Sequence, residues 1–454
     1  MTSDVAALIA ELPDGAVLTD RDLMASYRQD WARDPKAGWP VAVVRATCTA
    51  DVQATMRWAT AGRVPVVPRG AGSGLSGGAT AVDGGIVLTL EKMRAITIDP
   101  VSRVAVTEPG LLNVEVKQAA AEHGLWYPPD PSSFEICSIG GNAATNSGGL
   151  CCVKYGVTTD YVLGMQVVLA DGTAVRLGGP RLKDVAGLSL TKLFVGSEGT
   201  LGVITELTLR LVPAQPRACT LVATFGSIDA AADAVLAITS ALRPSMLELM
   251  DRTAINAVED YLKMGLDRTA EALLVARSDA PGVAATEEIA LMQAACSAHG
   301  ATELLCTDDP AEGEAFVAAR RAAFPALEQL GSLLLEDVGV ALPNLPVLMR
   351  GVEQIAQKFQ VTIAMVAHAG DGNTHPLIVY DATDPDSTAR AYEAFGAVMD
   401  LALELGGTIT GEHGVGRLKK DWLPAYLGPE VMALTRLIKD ALDPDGILNP
   451  GAIF

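Results

Sequence analysis

Three of the five histidines of this 454-residue chain lie near its C-terminal end, at positions 368, 375 and 413. His368 and His375 belong to VTIAMVAHAGDGNTHPLIVY, in which two apolar runs flank a Gly-Asp-Gly-Asn turn. Gly370 and Gly372 argue against a helix, so the segment predicts a hairpin with the loop AGDGNT and one histidine on each strand. Directly opposed side chains have Cβ atoms about 4.5–5.5 Å apart, close enough to bind one metal ion. A pair of histidines that closes the hairpin without a metal is the alternative.

A carboxylate and the third histidine follow in GGTITGEHGVGRLKK. This segment predicts a strand, TIT, that runs into Glu412 and His413. Adjacent residues of an extended chain point to opposite sides, so these two side chains are expected to have different roles. If Glu412 completes a site with the two hairpin histidines, two nitrogens and one carboxylate with open positions suit zinc, manganese or ferrous iron.

A glycine-rich segment, VPVVPRGAGSGLSGGA at 64–79, contains the spacing GxGxxG at Gly72, Gly74 and Gly77. In a dinucleotide-binding βαβ unit this motif opens a helix, but here a turn and then a strand, GIVLTL, are predicted. The segment instead predicts a strand that ends in a loop of successive backbone N–H groups, which binds anions such as a diphosphate. An ordinary glycine-rich turn is the alternative.

Two further segments are rich in small residues. PPDPSSFEICSIGGNAATNSGG, at 128–149, ends in a run of Gly, Ala, Ser, Thr and Asn, which indicates a flat ligand against the backbone or closely packed helices. LFVGSEGTLGVITELTLRL, at 193–211, predicts a strand, a turn and a second strand. Each motif is weak alone, but the order and intervals of the three are specific.

Charge and cysteine usage exclude several classes of function. The chain has 54 acidic and 34 basic residues, a formal net charge of −20. Duplex nucleic acid and anionic membranes are bound through clustered Lys and Arg, so neither is an expected partner. The seven cysteines show no CxxC spacing, which predicts reduced thiols. The first residues are not typical of a signal peptide and no apolar run has membrane-spanning length, so a cytoplasmic location is expected.

Hydrophobic periodicity predicts the elements that must position these residues, and the predicted fold class is α+β. A helical segment is expected at 1–38, and short β-rich runs alternate with glycine clusters and helical patterns over 39–213. Over 214–425, strands alternate with longer amphipathic helices, which predicts a split βαβ sheet with helices on one face. An amphipathic helix and a turn-rich tail are expected at 426–454.

The order PRGAGSGLSGG, PPDPSS…GGNAATNSGG and LFVGSEGTLGVIT resembles the FAD-binding domain of the vanillyl-alcohol-oxidase, or PCMH, type of flavoprotein. The C-terminal half resembles the FAD-linked oxidase cap, in the branch of glycolate oxidase catalytic subunits, D-lactate dehydrogenases and D-2-hydroxyglutarate dehydrogenases. The resemblance implies a two-subdomain PCMH-type FAD-binding domain at 39–213, a ferredoxin-like cap with a metal site at 214–425, and a segment at 426–454 that packs on the FAD domain and returns to the flavin. It also implies these contacts with FAD: Arg69, Gly70, Ala71, Gly72, Ser73, Gly74, Pro129, Asp130, Ser133, Gly141, Asn142, Ser147, Gly149, Glu198, Gly199, Val203 and Asn449.

The resemblance also gives roles to the chemical residues of the C-terminal half. His368, His375 and Glu412 match the metal ligands of the family, and His413 matches its active-site base. Some relatives tether FAD through a histidine of the first glycine-rich loop. Here that loop has none, so non-covalent FAD is expected together with a divalent metal.

A cation for the substrate is implied in FVAARRAAFPAL, where Arg320 matches the arginine that binds a carboxylate. Arg321 points about 100° away on a helix and is expected to face solvent. Relatives that act on dicarboxylates tend to carry a lysine just before the aspartate of LLLEDVGVAL, where this chain has Leu335 and Glu336. Together with Phe324, one helical turn beyond Arg320, this favours a small monocarboxylate.

The function implied is FAD-dependent, metal-assisted oxidation of a small D-2-hydroxy acid, D-lactate or glycolate, to the 2-oxo acid by hydride transfer to flavin N5. The alternatives are a D-2-hydroxyglutarate-type dicarboxylate dehydrogenase and, in another class, a metal hydrolase that uses His368, His375 and Glu412. The electron acceptor implied is an iron–sulfur subunit, an electron-transfer flavoprotein or a quinone. A homodimer is left open.

Overall fold

The structure is a computed structural model that describes residues 5–454. Its α-helices are α1 (Val5–Glu11), α2 (Arg21–Met24), α3 (Thr49–Gly62), α4 (Asn113–Ala121), α5 (Ile139–Thr145), α6 (Cys152–Tyr155), α7 (Leu190–Phe194), α8 (Ile228–Ala241), α9 (Arg252–Leu262), α10 (Val283–Ala298), α11 (Pro310–Arg321), α12 (Ala323–Glu328), α13 (Leu345–Phe359), α14 (Pro385–Glu404), α15 (Leu423–Leu427) and α16 (Pro429–Leu442). Its strands are β1 (Val17–Leu18), β2 (Ala42–Arg45), β3 (Val66–Arg69), β4 (Ile86–Thr89), β5 (Ile96–Asp99), β6 (Val104–Thr107), β7 (Leu125–Trp126), β8 (Val162–Val168), β9 (Ala174–Gly178), β10 (Val203–Arg210), β11 (Val212–Pro213), β12 (Cys219–Phe225), β13 (Met246–Asp251), β14 (Ala272–Ser278), β15 (Ala301–Thr307), β16 (Ser332–Leu335), β17 (Val338–Gly339), β18 (Thr362–His368) and β19 (Asn373–Tyr380).

The chain divides into two compact units. Unit 1 comprises Met1–Gly148, Val157–Ala214 and Glu412–Phe454, and unit 2 comprises Gly149–Gly156 and Gln215–Gly411. The predicted helical segment 1–38 contains α1 and α2, and its first four residues lie outside the described part of the chain. Among residues 5–454, no helix combines the length and the apolar character needed to cross a bilayer.

Unit 1 contains two main sheets. In the first, β2 and β3 both lie parallel to the central strand β4, and β1 pairs antiparallel with β2. All four residues of β4 are buried, which is typical of a strand covered on both faces. The second sheet is antiparallel, with the order β5-β6-β10-β8-β9. Turns and bends follow β3 up to β4, so the prediction that no helix follows the first glycine-rich loop is confirmed.

Unit 2 is built on an antiparallel sheet with the order β15-β12-β14-β13-β18-β19-β16, to which β17 adds by pairing with β19. β12 and β13 are both antiparallel to β14, which lies between them, so they are parallel to each other and joined by α8. This is the predicted ferredoxin-like split βαβ arrangement. A second such unit follows: β16 and β18 are both antiparallel to β19, which lies between them, and the connection from β16 to β18 contains α13.

Helices cover both faces of the unit 2 sheet, so the expectation that they lie on one face is wrong. Six consecutive residues of β12 are buried, whereas a strand covered on one face alternates buried and exposed residues. One face packs against α9, α11 and α12 in a core that includes Val258, Ala319 and Leu327. Helices α8 and α10 also contact β12 and β14.

Candidate functional site

The two hairpin histidines of unit 2 lie side by side at the end of the β18–β19 hairpin. The register places His368 opposite Asn373 and His375 opposite Val366, so the histidines are diagonal neighbours. The prediction that they are directly opposed is therefore wrong by two residues, although both face the same side of the sheet. Their ring centroids are 5.0 Å apart with an interplanar angle of 87°. Both side chains are buried.

Glu248 connects this hairpin to the neighbouring strand. β13 pairs antiparallel with β18, and Glu248 lies opposite His368. The Oε1 atom of Glu248 is 2.7 Å from Nδ1 of His368. Glu248 is 1% exposed in a strand whose other central residues are apolar. Sequence reasoning missed this residue, although a glutamate in the middle of the apolar run SMLELMD was the available signal.

Arg320 lies near the end of α11 and is buried, with 4% of its surface exposed. Its Nε is 2.9 Å from Oε2 of Glu248. Its Nη2 is buried and has no hydrogen-bond partner among residues 5–454. Arg321 is half-buried and pairs with Glu314 at 3.5 Å, so the expectation that it faces solvent is only partly correct. α11 ends before Phe324, which belongs to the separate helix α12.

Asp337 is a second carboxylate that sequence reasoning did not assign to the site. Its Oδ1 lies 3.7 Å from Nδ1 of His375. Its Oδ2 accepts hydrogen bonds from the Thr410 hydroxyl at 2.6 Å and from the Gly411 N–H at 2.9 Å. Asp337 therefore fixes the backbone at the residue that directly precedes Glu412 in the chain.

In unit 1, the first glycine-rich loop presents unpaired donors. The backbone N–H groups of residues 72–78 donate to no acceptor within residues 5–454, and Ser76 and Gly77 are buried. Buried N–H groups without acceptors are rare in folded proteins, so the loop fits an anionic ligand. Gly72 has a φ of +75°, and a Cβ there would lie 2.0 Å from Nη2 of Arg69. The Arg69 guanidinium therefore lies directly against the loop.

The second small-residue segment contacts the first through Ser138. The Ser138 hydroxyl accepts the N–H of Ala71 and the N–H of Gly141, both at 3.2 Å, and so caps α5. A Cβ on Gly70 would lie 2.3 Å from this hydroxyl oxygen, so only glycine allows the close approach. Ser138 was not predicted as a site residue.

Asn142 is buried in α5 and organises the segment around it. Its Oδ1 accepts from Nδ2 of Asn113 at 3.0 Å, and its own Nδ2 donates to the Ser147 hydroxyl at 3.4 Å. Asn113 also donates to the Pro129 carbonyl at 3.4 Å. The remaining predicted contacts of this region occupy the loop before α5 or the turns after it. In the loop, Asp130 pairs with Lys117 at 3.3 Å, and the Ser133 carbonyl accepts the N–H groups of Ile136 and Cys137. After the helix, Gly149 belongs to unit 2.

The third segment begins with a helix, α7, and not with the predicted strand. Glu198 follows in the turn, and its carboxylate accepts the N–H of Val415 at 2.7 Å and of Gly416 at 2.8 Å. Burial raises the pKa of Glu198 to about 7. Gly199 has a φ of +73°, and Val203 is a core residue of β10. The carboxylate of Glu198 therefore binds another loop of the protein, at residues 415 and 416.

Glu412 and His413 lie in bends, so the predicted strand TIT is wrong; Thr408 forms only an isolated bridge. Because the chain bends, Nε2 of His413 lies 3.5 Å from Oε1 of Glu412, and the expectation that the two side chains point apart is also wrong. The following residue, Gly414, accepts at its carbonyl from the Ser76 hydroxyl at 2.7 Å. The His413 loop is thus fixed to the first glycine-rich loop within unit 1.

Asn449 joins the C-terminal tail to the same region of unit 1. Its Nδ2 donates to the Gly78 carbonyl at 2.8 Å and to the Glu198 carbonyl at 2.7 Å. Its backbone N–H donates to the Val66 carbonyl at 2.8 Å. The tail therefore contacts both the first and the third glycine-rich segments.

Comparison with known families decides which class of protein this arrangement represents. The family described as FAD linked oxidases, C-terminal domain, matches residues 214–453, and the FAD binding domain family matches residues 40–178. The chain belongs to the FAD-linked oxidases. This FAD-linked oxidase is an oxidoreductase with FAD as its cofactor, and two of the three glycine-rich segments, 64–79 and 128–149, lie within the matched FAD binding domain.

Among curated proteins, the FAD-linked oxidase is 41% identical to the glycolate oxidase subunit GlcD of Bacillus subtilis (strain 168), over 91% of this chain and 89% of that protein. It is 33% identical to a D-lactate dehydrogenase of Anaerostipes hadrus, over 100% of this chain and 98% of that one. Among solved structures, p-cresol methylhydroxylase with bound substrate superposes with a TM-score of 0.82 at 20% identity, covering 98% of this chain and 95% of that one. That likeness confirms the predicted α+β fold of the PCMH type.

Proposed function

We propose that this FAD-linked oxidase oxidises a small D-2-hydroxy acid, D-lactate or glycolate, to the corresponding 2-oxo acid. The observation that carries the proposal is Arg320, a buried guanidinium whose Nη2 has no acceptor among residues 5–454. A buried donor of this kind is satisfied by a ligand oxygen, and a guanidinium binds a carboxylate. The similarity to a glycolate oxidase subunit and to a D-lactate dehydrogenase supports the same substrate class.

The FAD site in the proposal rests on the donors of unit 1. The backbone N–H groups of residues 72–78 are suited to the diphosphate, because neutral amides bind an anion without added charge in a chain of net charge −20. The small residues of α5 and Asn449 are proposed to contact the flavin. The first loop contains no histidine, so we propose that FAD is bound non-covalently. When bound, FAD supplies the two-electron acceptor that takes the Cα hydride at its N5 position.

We also propose a divalent metal, for which His368, His375 and Glu412 would be the ligands. Metal-binding histidines usually donate their other ring N–H to a carboxylate, and Glu248 occupies that position at Nδ1 of His368. Asp337 lies beside Nδ1 of His375. A metal at these residues would lower the pKa of a coordinated substrate hydroxyl.

The proton balance of the reaction assigns a role to His413. Oxidation of a 2-hydroxy acid removes one hydride from Cα and one proton from the hydroxyl. We assign that proton to His413, which accepts it as the general base. The bonds that Glu198 and Ser76 make to residues 414–416 hold the loop of this histidine. A base that is fixed in place needs less reorganisation when the proton is transferred.

The preference for a monocarboxylate is supported by the residues that follow β16. Glu336 and Asp337 are both fully buried, and a second substrate carboxylate close to them would be repelled. Leu335 stands in place of a cation before this pair. A D-2-hydroxyglutarate-type substrate is the remaining alternative, and an iron–sulfur subunit, an electron-transfer flavoprotein or a quinone is the proposed electron acceptor.

The proposal is tested by anaerobic titration of the flavin-loaded protein with D-lactate, L-lactate, glycolate and D-2-hydroxyglutarate, following the visible flavin absorbance. D-lactate or glycolate should bleach the flavin at lower concentration than D-2-hydroxyglutarate, and L-lactate should bleach it least. Stronger bleaching by D-2-hydroxyglutarate would establish the dicarboxylate alternative.

A further inference from the structure

Glu248 uses both carboxylate oxygens in two different contacts inside unit 2. Oε1 lies 2.7 Å from Nδ1 of His368, and Oε2 lies 2.9 Å from Nε of Arg320. The side chains of Glu248, His368 and Arg320 are 1%, 4% and 5% exposed, so water does not compete for these contacts. One buried carboxylate therefore joins an arginine of α11 to a histidine of β18.

Chemistry fixes the direction of the hydrogen bond to His368 and the charges of the ion pair with Arg320. An ionised carboxylate only accepts hydrogen bonds, and a guanidinium only donates them. His368 must then present a protonated Nδ1 to Glu248, which leaves the lone pair of a neutral ring on Nε2. Arg320 is held by its Nε edge, so Nη2 is the part of the guanidinium that remains available.

We propose that Glu248 is a positioning residue that sets the His368 tautomer for metal binding and at the same time aims Arg320 at the substrate carboxylate. This inference rests on the proposed function, because it assumes the roles given to His368 and Arg320. It extends that function by making metal affinity and substrate affinity depend on one side chain that touches neither ligand.

A contribution to folding alone does not account for this glutamate. A buried ion pair gives little net stability, because the cost of removing two charges from water offsets most of their attraction. Apolar residues occupy the neighbouring positions of β13 and would fill the space without that cost. A buried carboxylate that hydrogen-bonds a proposed metal ligand through one oxygen and forms an ion pair with a proposed substrate anchor through the other is accounted for by function.

Glu248→Gln separates the two contacts with little change in volume. The amide offers one oxygen, but both Nδ1–H of His368 and Nε–H of Arg320 require an acceptor. The cationic arginine takes the oxygen, so the amide NH₂ faces His368 and moves the ring proton to Nε2. The variant should then bind metal about 10–100-fold more weakly, as is found when outer partners of metal ligands are removed.

Two measurements on flavin-loaded, chelator-treated protein test this. Titration with Zn²⁺ or Mn²⁺, followed by calorimetry, gives the metal affinity. The ¹⁵N-imidazole spectra of the five histidines give their tautomers, and the signal that is lost in His368→Gln is assigned to His368. Wild type should show a protonated Nδ1 at His368, and Glu248→Gln should show the reverse. Glu314→Gln, on the same helix as Arg320 but exposed, is the matched control and should match wild type in both. If Glu248→Gln does not fold, Glu248→Asp keeps both oxygens on a shorter side chain and should give a smaller loss.

Unchanged metal affinity and an unchanged His368 tautomer in folded Glu248→Gln or Glu248→Asp overturn the inference. A wild-type protein that binds no metal, or whose flavin no 2-hydroxy acid bleaches, contradicts the proposed function instead. In that case the tautomer of His368 in the metal-free wild type still decides whether Glu248 sets it.

Discussion

The carboxylate of Glu198 accepts the backbone N–H of Val415 at a distance of 2.7 Å. Val415 lies two residues after His413, and Glu198 lies in the turn of the third glycine-rich segment. The same turn also accepts a hydrogen bond from the tail, since Nδ2 of Asn449 donates to the Glu198 carbonyl at 2.7 Å. A motif that the sequence associates with cofactor binding therefore also holds the loop that carries the proposed base.

The pH dependence of stability should reveal Glu198. Burial raises its pKa from 4.5 to about 7 in the folded protein. Between these values the folded state binds a proton that the unfolded state has lost, so this contribution to stability is full below about pH 4.5 and decreases up to about pH 7. In Glu198→Gln the titration is absent. With FAD saturating, the melting temperature of wild type should fall relative to that of the variant as the pH rises through this window. The fall corresponds to a loss of at most about 3 kcal/mol in the free energy of unfolding.

Glu122→Gln, an exposed position at the end of α4, serves as the control for loss of a carboxylate. Its melting curve should follow wild type at every pH. Parallel pH profiles for wild type and Glu198→Gln would contradict the assignment of this titration to Glu198.

Replacing His413 with alanine should separate cofactor binding from chemistry. The variant should remain yellow, because the donors for FAD belong to other residues, but D-lactate should reduce its flavin about 10²–10⁴-fold more slowly, the usual contribution of a general base. Stopped-flow absorbance measures the rate. His123→Ala, on the exposed turn after α4, should reduce at the wild-type rate. Equal rates for the two variants would remove His413 from the mechanism.

Arg320→Lys should weaken substrate binding more than it slows chemistry. Lysine keeps the charge but loses the fork-shaped pair of donors, so KM for D-lactate should rise about 10–100-fold. Arg321→Lys is the matched control, since Arg321 lies next to Arg320 on the helix but pairs with Glu314. A KM that rises equally in both variants would indicate a general effect on α11 and not a specific contact with the carboxylate.

Gly72→Ala tests the anion-binding loop. The φ of +75° disfavours any side chain, and the added Cβ would displace the Arg69 guanidinium. FAD should therefore bind about 5–30-fold more weakly, equivalent to roughly 1–2 kcal/mol. Gly84→Ala carries a similar φ of +74° with no atom within 4 Å of the new Cβ. Equilibrium dialysis of FAD should show wild-type affinity for Gly84→Ala, and equal losses in both variants would mean that backbone strain alone is responsible.

Local patterns along the sequence predict the fold better than they predict contacts. Apolar periodicity identifies β18, β19 and the split βαβ order, because each signal lies within one or two elements. The register of His368 and His375 differs by two residues from the prediction, since hairpin register depends on the loop conformation, which composition does not determine. The predicted strand at 408–410 becomes a bend because Asp337 binds Thr410 and Gly411 from a distant part of the chain.

Glu248 illustrates what sequence reasoning could not supply. It is 120 residues from His368, and only the pairing of β13 with β18 brings them together. A glutamate in an apolar strand indicates that a buried partner exists, but not which cation or histidine provides it. Arg320, by contrast, could be predicted from its motif, although its shared contact with Glu248 could not.

The most direct test of the proposed reaction is the rate of anaerobic flavin reduction by D-lactate carrying deuterium at C2, compared with ordinary D-lactate. Removal of the Cα hydrogen as a hydride predicts that the wild-type flavin is bleached by both substrates and that the deuterated one reacts several-fold more slowly. Absence of bleaching by D-lactate and glycolate alike, with FAD bound and metal supplied, would contradict the account.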